Sequence, residues 1–215
     1  MALFLNSYPY RWIRQKIKNF NSRLIPLIIL APLASGLAGC GYNAIPTLEE
    51  QAKAKWSEVE NQYQRRADLI PNLVATVKGY AAQEKDVLTA VVEARAKATS
   101  VKVDASQLTD PEKVRQFQDA QAQLSGALGR LLAVSENYPE LKSNQNFLIL
   151  QSQLEGTENR ITVARRDYIE AVRAYNTSLK TFPTLLWAMT LFRDHKPMAE
   201  FTAAGGAEKA PQVKF

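Results

Sequence analysis

From position 147 onward the bulky apolar side chains return every seven residues: Phe147, Leu154, Ile161, Tyr168, Tyr175 and Phe182. Between them, again seven apart, stand Leu150, Thr157, Ala164, Ala171 and Ser178. Steps of three and four put both lines on one side of an α-helix, as a seam that a second helix can fill. The second line is mostly small, which lets the neighbour approach closely. This spacing predicts a helix from about Glu140 to Thr181, roughly 60 Å long.

Three more amphipathic segments precede it. The first runs from about Thr47 to Arg66 with Leu48, Ala52, Trp56, Val59 and Tyr63 on one face. The second follows a break at Asp68 to Pro71 and carries Leu73, Val77, Tyr80, Val87, Val91, Ala94 and Ala98. The third opens at T-D-P-E, where Thr109 and Glu112 fit a capping box and Pro111 an early helical position. Its stripe is Val114, Phe117, Leu124, Leu128 and Leu131, and Tyr138-Pro139 separates it from the last helix. The loop TSVKVDASQLT joins the second and third.

Strand-like alternation is almost absent, so the expected fold is all-α, an antiparallel four-helix bundle with long helices over residues 47–183. Pro71 is the main branch point. A break there gives four helices and is preferred; a kink would merge the first two into one rod of about 75 Å. Residues 184–215 read as a C-terminal tail. Its LLWAMTLF stretch, 185–192, is too short to span a bilayer, and either packs back on the bundle end or meets a membrane or partner.

The chain ahead of the bundle has a different character. RWIRQKIKNFNSR, residues 11–23, is basic and acid-free, and LIPLIILAPLA follows it, ending in the small residues of SGLAG. A basic region, an apolar run and small residues form a secretory signal. The run is short for a membrane span, and Pro26 and Pro32 interrupt it. An uncleaved inner-membrane anchor is the alternative.

Leu37-Ala38-Gly39-Cys40 directly behind that run resembles the lipobox of bacterial lipoproteins, in which the cysteine thiol is acylated and the preceding bond cut. That resemblance implies a signal peptide over 1–39, lipidation at Cys40 and a tether over 40–46. The mature body would face the periplasm or exterior. Gly41 in place of Asp favours the outer membrane in a Gram-negative cell.

Charge then narrows the function classes. The net formal charge of +6 invites a nucleic-acid reading. However, five of the 27 basic residues precede Cys40 with no acid among them, leaving 22 basic against 21 acidic residues. Such a balance offers no phosphate-binding footprint, and no nucleic-acid partner is expected. Cys40 is the single cysteine and His195 the single histidine, the latter in the tail. No H-E-x-x-H, cysteine pair or glycine-rich phosphate loop occurs, so neither a metal, a cofactor nor catalysis is expected.

Polar residues near the predicted seams are the remaining candidates. Glu84 falls on the stripe of the second helix, and Glu158, Arg165 and Asn176 flank that of the fourth. A buried carboxylate needs a cation, and Arg65, Arg66, Arg95 and Arg165 are available. With Asp68 at the break, these form a candidate network that fixes helix register or meets a partner. A carboxylate-based hydrolase or a ligand held between the helices is the alternative.

Several stretches resemble the LemA family. They are YN at 42–43, QRRADLIPNLVATVKGYAAQE at 64–84, AR at 94–95, SENYPELKSNQNFLILQSQLEGTENRITVARRDY at 135–168, YN at 175–176 and FP at 182–183. The terminal P-x-V-x-F, Pro211 to Phe215, is similar to that family's ending. The resemblance implies a four-helix bundle outside the cytoplasm with its N-terminus at a membrane, without an assigned enzymatic activity or cofactor. It further implies an accessory or interaction role, with another envelope or membrane protein as partner. Some members occur beside membrane proteases or in specialised membrane compartments. Two departures stand out: Cys40 replaces the usual N-terminal transmembrane helix, and Ile169 stands where an asparagine normally follows ARRDY.

Overall fold

Proline lacks an amide hydrogen, so within a helix Pro71 leaves the carbonyl four residues earlier, that of Ala67, without its usual donor. In the computed structural model, which describes residues 41–201, the helix continues regardless. Helix α1 spans Ala44–Tyr80, 37 residues or about 55 Å, with Pro71 inside it. The freed carbonyl finds a donor elsewhere: Arg95 Nε reaches Ala67 O at 2.8 Å. The break expected at Asp68 to Pro71 is therefore displaced to the turn after Tyr80, where Gly79 weakens the last helical turn. A second correction follows, because Glu84 lies in that turn as the N-cap of α2, Lys85–Ser100, instead of midway along a helix.

Helix α3, Pro111–Ser135, is capped by Asp110, whose carboxylate accepts from the amides of Glu112 at 3.0 Å and Lys113 at 3.4 Å. The expected cap, Thr109, is one residue early. All five residues of its predicted stripe are buried. Pro139 opens only a short helix, α4 (Pro139–Lys142), and Asn144 then caps α5, Gln145–Ser178, by accepting from the Phe147 amide at 3.1 Å. Last comes α6, Thr184–Thr190. Among the described residues the secondary structure is helical throughout.

The two long helices, α1 and α5, pair along their length. Tyr80 meets Asn144, Arg66 meets Glu158 and Trp56 meets Tyr168. One index falls as the other rises, so the pair is antiparallel. Helix α2 doubles back on the second half of α1, and α3 returns along α2. Being short, α2 leaves the first half of α1 uncovered, and the loop 101–110 fills the gap. Trp56 Nε1 donates to Val103 O at 2.9 Å, with Val103 and Leu108 fully buried.

The interior has two parts. One, rich in aromatics, gathers Trp56, Tyr63, Phe117, Tyr168, Tyr175 and Phe201. The other, more aliphatic, gathers Ile70, Leu73, Val77, Leu124, Leu131, Phe147 and Leu154. Between them α1, α3 and α5 contribute Arg66, Gln121 and Glu158.

The chain beyond α6 does not simply trail away. Met198 and Phe201, expected in a tail, are buried against the aromatic half, and Ala199 N donates to Leu108 O at 2.8 Å. The signal or anchor segment, Cys40 and everything past Phe201 lie outside the described residues.

Candidate functional site

Arg66 sits on the buried face of α1, one turn beyond Tyr63, and is only 1% exposed. Its guanidinium spreads four donors over two other helices. Nη1 reaches Glu158 Oε1 at 2.7 Å on α5 and Ser125 Oγ at 2.8 Å on α3. Nη2 reaches Gln121 Oε1 at 2.7 Å and Gln121 O at 3.2 Å. The planar fork suits such a junction in a way that a lysine ammonium would not. Gln121 passes the connection on, donating from Nε2 to Ala98 O at 3.2 Å, so all four long elements are joined through one cation. The Tyr63 ring stacks beneath it, 5.0 Å from centroid to guanidinium carbon, and burial pushes the Tyr63 hydroxyl pKa up.

Glu158 is the charge partner, and its side chain keeps 47% of its exposure. The pair is thus a buried cation with a wetted anion. Burying only one member fully limits the desolvation cost while retaining the attraction.

The other predicted residues take separate posts. Arg95 serves the Ala67 carbonyl. Arg165 lies over the Phe201 ring at 4.7 Å. Glu84 accepts from the Tyr138 hydroxyl at 2.8 Å, a bond that raises the Tyr138 pKa, while Gln83 donates to the same oxygen. None of the four arginines proposed for Glu84 fills that place. Arg65 and Asp68 are exposed, and Asp68 accepts from Gln64 at 2.7 Å. The predicted set is therefore one joined pair, Arg66 and Glu158, with Arg165 close by at the Tyr63 side chain and the rest distributed along the bundle. Asn176, noted at the seam, holds the returning chain with both amide atoms: Nδ2 donates to Met198 O and Oδ1 accepts from Met198 N, each at 2.9 Å.

Gln121 and Ser125 were missed by sequence reasoning. The signal for Gln121 was present, since it falls on the stripe between Phe117 and Leu124; Ser125 sits one position off it.

A cleft of about 280 Å³ opens beside the polar layer, lined by Glu60, Tyr63, Gln64, Lys102, Phe117 and Gln121. Burial raises the Glu60 pKa. His195, the only histidine, faces Glu49 at 2.9 Å near the start of α1. Among the described residues no cluster of His, Cys, Asp and Glu could hold a metal ion. Within the same residues no helix is long and apolar enough to cross a membrane.

The model of the LemA family matches residues 55–215. Magnetosome protein MamQ 1 of Paramagnetospirillum magneticum is 28% identical over 158 residues, covering 66% of this chain and 58% of the relative. Magnetosome protein MamQ of Magnetospirillum gryphiswaldense is 27% identical over the same span. Protein LemA of Metamycoplasma hominis is 23% identical over 128 residues, 60% of this chain and 54% of the relative. The chain thus spans a little over half the length of the curated relatives it matches. Neither the family description nor these names indicate a catalytic activity.

Proposed function

The chain belongs to the LemA family, and on that premise we propose that it acts as a membrane-tethered helical scaffold that presents its bundle to another envelope protein. The observation that carries this reading is the Arg66 layer. The polar side chains at the seams hold helices to one another, which suits a rigid body better than a reaction centre. A nucleophile, general base and electrophile converging on one cleft would be the opposite pattern. The tether is Cys40, whose lipobox-like setting supplies the acyl chains and faces the bundle to the periplasm or exterior, at the outer membrane in a Gram-negative cell. An uncleaved inner-membrane anchor would give the bundle the same outward placement.

Mass spectrometry of the mature N-terminal peptide beside a Cys40→Ser variant tests the tether. Acylated Cys40 at the new N-terminus is the expected result, with processing and membrane retention lost in the variant. Normal processing and retention of Cys40→Ser would overturn it. The scaffold reading is tested by Glu84→Gln and Glu158→Gln. Loss of a measurable activity in variants that stay folded would replace it with the carboxylate-hydrolase reading.

A further inference from the structure

Among the described residues the four most exposed large apolar side chains are Phe182, Met189, Leu191 and Leu186, at 70, 62, 61 and 53%. They fall within ten residues of sequence, on and around α6. Leu186 and Met189 lie about one turn apart on its outer side, while Trp187, Ala188 and Phe192 turn inward to the aromatic core. The short helix is thus held by one face and bare on the other. An exposed cluster of this kind marks a surface that meets something apolar.

Its location says what. Helix α6 packs on the beginning of α1, where Ile45 and Leu48 share its core cluster. His195 meets Glu49 and the Tyr175 hydroxyl donates to Lys196 O at that same end. Cys40 precedes Ala44 by four residues, so an acyl chain on its sulfur enters the bilayer within about 14 Å of the start of α1. The bare apolar face therefore lies at the end of the bundle that the tether draws to the lipid. The charges around it fit the same occupant. From 180 to 196 the exposed ionic residues are Lys180, Arg193, Asp194 and Lys196, a formal excess of +2, which Glu49, Glu50 and Lys53 at the adjoining start of α1 reduce to +1. Basic residues rimming an apolar face match anionic headgroups above acyl chains.

We infer that the segment 182–191 is a second, non-covalent membrane contact, inserting Phe182, Leu186, Met189 and Leu191 into the headgroup and upper acyl region and fixing the bundle's orientation on the bilayer. This rests on the tether reading, since Cys40 supplies the proximity. One covalent anchor leaves a bundle free to swivel; a second contact beside it sets which helices face outward.

The test is hydroxyl-radical footprinting of the full-length protein, purified from membranes and reconstituted into vesicles of phosphatidylethanolamine with about 30% phosphatidylglycerol. Met189 is the reporter. Tyr80 and Leu148, exposed at the opposite end of the bundle, are the accessible references, and buried Met198 is the protected one. On vesicles Met189 oxidation should fall about fivefold or more relative to Tyr80 and Leu148. Leu186→Ser with Phe182→Ser, both at exposed positions and so compatible with the fold, should restore most of it. Vesicle-bound, Cys40-acylated protein whose Met189 stays as reactive as Tyr80 would overturn the proposal while leaving the tether intact. Protection that grows with the protein-to-lipid ratio would assign the patch to a second copy and also overturn it. Protein that neither floats with the vesicles nor carries lipid on Cys40 would remove the tether and this proposal together.

Discussion

A guanidinium at 1% exposure is tolerable only because its surroundings were built around it. With four of its N–H groups bonded and Glu158 opposite, Arg66 is held where an unpaired charge would cost several kcal/mol. Arg66→Ala should therefore destabilise the protein by about 3–5 kcal/mol, leaving Gln121 and Ser125 facing a void. Glu158→Gln should cost less, about 1–2 kcal/mol, because water at the half-exposed carboxylate position still screens the cation. Urea denaturation of the two variants checks the order as well as the size. Tyrosines of the aromatic core give the fold an alkaline limit. Burial, with Glu49 nearby, pushes the Tyr175 hydroxyl up to about 12, and burial raises Tyr168 too. The folded state then keeps protons that the unfolded chain releases from about pH 10, so stability is full below that pH and falls as pH rises toward 12. Tyr175→Phe should flatten the drop in urea midpoint between about pH 9 and pH 11.

At the scale of an element, α1 shows how a local rule is overridden. Pro71 removes one hydrogen bond, and Arg95 supplies the replacement from a helix that begins only after the next turn. Arg95→Met should therefore cost about 1–3 kcal/mol in the natural chain. In a Pro71→Ala background, where a backbone amide again reaches the Ala67 carbonyl, the same change should cost much less, leaving a coupling of about 1–2 kcal/mol in the double-mutant cycle. Additive effects would mean that Arg95 is not the compensating donor. Helix α5 keeps its seven-residue line, with Phe147, Leu154, Ile161, Tyr168 and Tyr175 all buried, and drifts from it only near its end. Thr157 with Tyr168, Ile161 with Val172 and Ala164 with Tyr175 are buried pairs eleven residues apart. An interval of eleven is near the natural pitch of a straight helix, so Val172 takes the buried place expected of Ala171. Phe182 lies beyond the helix and is exposed.

Across the whole molecule the returning C-terminal stretch substitutes for helix that α2 is too short to provide. Phe201 stacks on Trp56 at 5.7 Å, and the Asn176 amide clasps Met198 at 2.9 Å on both sides. Asn176→Ala should loosen this closure without unfolding the bundle, and limited proteolysis should then cut between Phe192 and Phe201 several times faster at unchanged helical content. Faster cutting across all helices instead would show that the clasp is needed for the bundle as a whole.

Much of this was written along the chain. The bulky stripe of α3 and most of that of the first half of α1 were legible, because amphipathic periodicity is local and burial follows it directly, while the small and polar buried positions Ala120, Gln121 and Ala127 were missed. Glu158 was legible for the same reason, since it borders an apolar stripe and a charge there must find a partner, and Arg66 was one of four cations available to it. Their pairing was not legible, since they are 92 residues apart and only the antiparallel approach of α1 and α5 makes them neighbours. The same limit applies to Pro71, whose effect depends on a donor that no neighbouring residue could reveal. It applies also to the clasp of Met198, where an ordinary tail composition hides two buried apolar side chains. Sequence alone thus determined the class of fold, the helical faces and the residues needing partners, all of them consequences of spacing along one chain. Tertiary structure decided where the long helix ends, which charges meet and which apolar face of the bundle stays bare, because each depends on groups brought together only by packing.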